Sequence, residues 1–106
     1  MSLDITLLDY IPYDVFTINI THNLQRMAME ANLYKYLWNP DDKPLIARDM
    51  IIPLEKGLEI LKAAPDYFKQ FNPENGFGNY EDLVNAVECY ITACKAHPNA
   101  KVMVWR

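Results

Sequence analysis

"FTINITHNLQRMAMEANLY", residues 16 to 34, changes its period halfway along. Phe16, Ile18 and Ile20 alternate with Thr17 and Asn19, the pattern of a strand with one buried face. From Leu24 onward the apolar positions are Leu24, Met27, Ala28, Ala31, Tyr34 and then Trp38, spaced i, i+3, i+4, i+7 as on one face of a helix. The spacing predicts a strand over 14–20 that hands over to a helix over about 22–37. A chain that switches period within so short a stretch, without the repeated alternation of a βαβ protein, is of α+β type. Three polar residues, Thr21, His22 and Asn23, occupy the handover.

Working outward, Met50, Ile51, Leu54, Leu58 and Leu61 mark a second helix over 47–63, with Arg48, Glu55, Glu59 and Lys62 largely on its other side. Pro53 removes a backbone donor inside it, which predicts a kink or a first turn nearer Pro53. After Pro65 the segment from Asp66 to Phe71 suits one further turn that tucks Phe68 or Phe71 against the core. A third helix over 80–96 carries Leu83, Val84, Val87, Ile91 and Cys94 as its stripe, with Asn79 as its N-cap and Glu81 and Asp82 in the first turn. Lys101 to Arg106 alternates and reads as a final strand. Leu3, Ile5 and Leu7 give a weaker strand signal, stopped by Asp9 to Pro12, that also fits an ordered arm. The expected architecture is a single domain over 1–106, three helices packed on a mostly antiparallel sheet of two or three strands. The strand at 14–20 is expected to pair with the C-terminal one. Leu24, Met27, Ala31, Leu54, Leu58, Leu61, Leu83, Val87 and Ile91 are the expected core.

The 106 residues suffice for one core, burying roughly two thirds of the unfolded surface. A chain 51% apolar and 23% charged is globular, folding alone or as a small homo-oligomer. Its net charge of −4 and lack of basic runs argue against nucleic acid or an anionic membrane as partner, since both demand clustered Lys and Arg. No apolar stretch nears the roughly 20 residues that span a bilayer, and "MSLDITLLDY" lacks the basic start of a secretory signal. The expectation is a cytoplasmic protein. Cys89 and Cys94, on one helix and about 140° apart around it, neither bridge each other nor form a CxxC pair, and are expected as buried or half-buried free thiols.

Two segments invite a functional reading. At the first, Thr21 satisfies an early helix N–H as an N-cap, or Thr21, His22 and Asn23 together receive an anion or a polar ligand at the helix start. The second is "NPENGFGNYED", in which Gly76 and Gly78 flank Phe77 and mark turns with positive φ. Here Phe77 packs into the core, or the loop offers its backbone and the rings of Phe77 and Tyr80 to a ligand. GxG alone is neither a P-loop nor a dinucleotide fingerprint. Tyr34 to Trp38 reads as core at helical spacing, or as a protein-binding patch. No triad can be assembled, because Ser2 is the chain's lone serine, and the two histidines lack HxH or HExxH spacing, so neither a metal nor a cofactor is expected.

The segments "ITHNLQRMAMEANLYKYLWNPDD", "IIPLEKGLEIL", "FNPENGFGNYEDLVNAVECYITACKAHPNAKV" and the terminal "WR" resemble a group of small uncharacterised proteins encoded by bacteriophages and prophages. The resemblance covers roughly residues 13 to 106. Phe77 stands where that pattern has tryptophan and Asn39 where it has arginine. It implies a phage accessory protein in the bacterial host cytoplasm and carries over no activity. The expected function is non-enzymatic: binding a host protein or a small polar ligand through Thr21, His22, Asn23, Asn75, Gly76, Phe77, Gly78 and Tyr80. The alternatives are a small enzyme with His22 as general acid or base, and a structural or virion-associated protein.

Overall fold

The fold is taken from a computed structural model that describes residues 2–9, 14–40 and 45–106. The elements run β1 (Ser2–Leu8), β2 (Asp14–Thr21), a 3₁₀ turn (His22–Leu24), α1 (Gln25–Glu30), α2 (Tyr34–Leu37), α3 (Ala47–Ala63), α4 (Pro65–Lys69), α5 (Tyr80–Ala96) and β3 (Lys101–Trp105). Helices pack on a three-stranded antiparallel sheet, which makes the chain an α+β protein. The turns expected at Asp9 to Pro12 and Asn39 to Asp42 fall partly outside the described residues.

The strand order is β2-β1-β3, so β2 and the C-terminal strand are not neighbours as expected. The weakest strand signal of the sequence lies in the middle. Leu3, Ile5 and Leu7 are fully buried on one face, and Thr6 on the other is covered by its neighbours, its hydroxyl 3.2 Å from that of Thr17. β1 is central because both its edges are paired, and only Asp4 on its outer face is exposed, so its alternation is short and easily taken for an ordered arm.

The helix expected over 22–37 is broken. Asn32 takes φ +60°, Leu33 N–H donates to Ala28 C=O at 2.8 Å, and Asn32 N–H donates to Met29 C=O at 3.2 Å. That pair of bonds is a Schellman closure of α1, with Asn replacing the usual glycine because its side chain tolerates the left-handed region. Leu33 then packs on α3 at Gly57, where a Cβ would overlap its side chain. The apolar period continues through the break because both halves face the same core.

α3 runs from Ala47 with Pro53 inside it. Its first turn is held from outside the helix: Ala47 N–H donates to Ala100 C=O at 2.9 Å and Arg48 N–H to Pro98 C=O at 3.0 Å. The carbonyls leading into β3 thus satisfy donors that every helix start leaves free. α3 and α5 pack together, with Lys95–Glu55 (2.9 Å) and Lys62–Glu88 (3.4 Å) bridging their exposed edges. α5 lies against β2, where Tyr90 stacks on Phe16 at 6.3 Å. All nine expected core residues are buried except Leu58, which is half-buried at the α3/α5 rim. Trp38 is buried as expected, and Phe68 of α4 is the ring that enters the core. Cys94 is buried, which pushes its thiol up to about 12. Cys89, by contrast, is exposed, since it falls outside the α5 stripe.

Candidate functional site

The end of β2 and the loop before α5 meet. Thr21 remains extended, and its hydroxyl accepts from Asn23 N–H at 3.4 Å as the cap of the 3₁₀ turn. That turn directs the Asn23 side chain across to the loop, where its amide nitrogen donates to Phe77 C=O at 3.3 Å. Phe77 N–H in turn donates to the Asn75 side-chain oxygen at 3.0 Å. Both peptide groups of Phe77 are therefore committed, yet its ring is 70% exposed. Of the two readings of Phe77, burial in the core is not what the fold does: the glycine-flanked turn holds the backbone and leaves the ring outside.

Gly78 seats the loop. Its φ is +92°, and a Cβ there would stand 2.6 Å from Thr21 Cγ2. Asn79 next caps α5, accepting from Asp82 N–H at 2.9 Å while the Asp82 carboxylate accepts from Asn79 N–H at 3.1 Å. This reciprocal capping box anchors the far end of the loop.

A cleft of about 790 Å³ opens between these segments and the outward face of β1 and β2. Thr21, Asn23, Asn75, Phe77 and Gly78 line it, five of the eight residues expected at a site. The other three do not. The His22 ring meets the edge of Trp38 at 6.3 Å, with Nε2 buried and unpartnered among the described residues. Tyr80 is buried, its hydroxyl donating to Leu61 C=O at 2.7 Å, so it ties α5 to α3. Gly76, at φ +76°, supplies turn geometry with open space around it.

Sequence reasoning missed Ser2, Asn19 and Asp82 in the cleft. Asn19 is the residue that could have been found. Asn is unfavourable in strands, and this one sits on the outward face of an otherwise β-prone run. Its amide nitrogen donates to Ser2 Oγ and to an Asp4 carboxylate oxygen, both at 2.7 Å. Only the β1–β2 pairing, Ser2 opposite Thr21 and Asp4 opposite Asn19, brings these groups together.

Among the described residues, Asp82 is the one ionisable residue in the lining. The described lining mixes amides and hydroxyls with the apolar Ile20, Leu24 and Ala86 and holds no described Lys, Arg or His, which suits a neutral polar ligand better than an anion. Among the described residues no group of three His, Cys, Asp or Glu side chains could hold a metal ion. A second concavity of about 670 Å³ lies between α3 and α5, but its Glu55, Lys62, Glu88 and Lys95 charges pair with one another. No described helix is long and apolar enough to cross a membrane. No protein-family model, curated protein or solved structure matches the chain.

Proposed function

We propose that the protein is a small phage accessory protein of non-enzymatic type, acting in the host cytoplasm by binding a small polar ligand or a polar segment of a host protein in the Asn19/Asn23/Phe77 cleft. The observation that carries this reading is Phe77. An exposed aromatic ring gains nothing for the fold, yet side chains from two separate segments fix its backbone at the lip of a polar cleft. Binding is strengthened when groups are ordered in advance, because less freedom is then lost on association. Hydrolysis or proton transfer has less support, since the His22 ring lies against Trp38 outside the cleft.

The test pairs wild type with the Asn23→Ala, Phe77→Ala double variant in capture from bacterial lysate, followed by mass spectrometry of retained proteins and extracted small molecules. Wild type should retain a species that the variant loses, while the variant stays folded with only the loss of about 0.5 to 1.5 kcal/mol expected from the missing Asn23 bond. Equal retention of every species by the double variant would sink the reading.

A further inference from the structure

We propose that the ligand of this cleft is a neutral oligosaccharide of at least two rings, and that Trp105 is its second stacking platform. The inference rests on reading the cleft as a binding site and adds the chemical class. The directions of two amides are fixed by their partners. Asn19 turns its nitrogen to the Asp4 carboxylate and Ser2, so its oxygen faces outward as an acceptor. Asn23 turns its nitrogen to the Phe77 carbonyl, and its second N–H and its oxygen have no partner among the described residues. The Thr21 hydroxyl accepts from Asn23 N–H and retains its own proton to donate.

The cleft is therefore rich in acceptors with a few donors, and among the described residues its lining holds no cation. Sugar hydroxyls suit such a lining because each both donates and accepts. Phosphorylated, sulfated or carboxylated ligands do not, since their charge would meet no counter-charge. The bare Phe77 ring supplies the flat surface that the apolar face of a sugar ring covers.

Sheet register extends the site. Asn19 pairs with Asp4, and Asp4 pairs with Trp105, so the three stand in one row across the sheet face that the helices leave open. Trp105 is 52% exposed and two strand spacings, roughly 10 Å, from Asn19. A polar row with an aromatic ring at each side matches a chain of sugar rings, which alternates apolar ring faces with hydroxylated rims. A lone nucleobase or a single sugar would leave Trp105 without a role.

The chain has two tryptophans, and Trp38 is buried, so a ligand-induced change in intrinsic fluorescence reports on Trp105. The probes are neutral disaccharides and trisaccharides of glucose, galactose and N-acetylglucosamine, their phosphorylated counterparts, and adenosine and uridine. At least one neutral sugar should give a saturable change below about 10 mM, its phosphorylated form binding more weakly. Phe77→Ala, followed by Trp105 fluorescence, and Trp105→Ala, followed by calorimetry, should each weaken that binding about tenfold, the scale of one good aromatic contact, in protein that a melting curve shows to be folded. The proposal is overturned if no neutral sugar binds, if only a nucleoside binds, or if Trp105→Ala leaves affinity unaltered. Failure of every sugar alongside a lysate species that still depends on Asn23 and Phe77 would reject the ligand class and keep the cleft as a binding site.

Discussion

The short helix α4 and the loop that follows it, Asn72 to Asn79, adjoin in sequence and treat a phenylalanine in opposite ways. In α4, Pro65 stands at the first helical position, where its missing N–H costs nothing, and the turn it starts sends Phe68 inward to 2% exposure. Tyr67 meets Phe68 and Phe71 edge-on at 5.1 and 5.5 Å. In the loop, two glycines at positive φ build a turn with no helical period, and Phe77 is left in solvent. Order in α4 comes with burial of apolar surface, the ordinary driving force of folding. Order in the loop comes from hydrogen bonds to Asn23 and Asn75, which stabilise a shape and bury little. On the proposed function, a segment held without burial is held for the ring it presents.

The sharpest way to break the comparison is to remove each ring. Phe68→Ala should cost about 3 to 5 kcal/mol in denaturant unfolding, as for other buried phenylalanines. A loss below about 1 kcal/mol would place Phe68 outside the core and erase the contrast. The two loop glycines sharpen it at the next level. Gly76→Ala meets open space and should cost about 1 kcal/mol through its positive φ alone, whereas Gly78→Ala also drives a Cβ into Thr21 and should cost roughly 2 to 3 kcal/mol. Equal losses would mean that the loop does not rest on Thr21.

Much of this contrast could be read in the sequence, and the rest depended on information that local patterns do not hold. Asn79 as a cap followed from an amide just ahead of an apolar period with acids in its first turn. The positive φ at Gly76 and Gly78 followed from the Asn-Gly and Gly-Asn dipeptides. The fate of Phe77 did not, since an aromatic between glycines has no period to say which way it faces. Asn32 was hidden for the opposite reason, because Leu33 and Tyr34 keep the helical stripe alive across a Schellman break. The cleft escaped through topology. Asn19 and Ser2 join Asn23 there only because β1 is inserted beside β2, and that order is set by long-range pairing.

The far end of the loop allows a smaller test. Asn79→Ala removes one half of the capping box and should cost about 1 kcal/mol, with Asn79→Asp retaining most of it. Because the cap is formed by α5 with its own first turn, the loss should appear in global stability and leave the lysate-capture pattern intact. Loss of capture by Asn79→Ala at full folding would show that the loop is shaped by its cap more than by Thr21 and Asn23.

The smallest stability effect is expected where the functional effect is largest. Phe77→Ala deletes a ring that touches mainly solvent, and exposed substitutions remote from caps and cores ordinarily change stability by no more than about 0.5 kcal/mol. The hydrogen bonds that position residue 77 involve its backbone and survive the change, so the loop keeps its path. Asn23→Ala supplies the complement, removing the bond to the Phe77 carbonyl and leaving the ring in place, at a cost of roughly 0.5 to 1.5 kcal/mol. If the ring is presented for binding, Phe77→Ala abolishes capture at native stability and Asn23→Ala weakens capture by loosening the platform. If the ring is an idle surface group, both variants capture what the wild type captures, and Asn23→Ala shows only its small loss in the melt. Melting curves read beside capture for these two variants separate the cases, because no purely structural role for Phe77 moves one without the other.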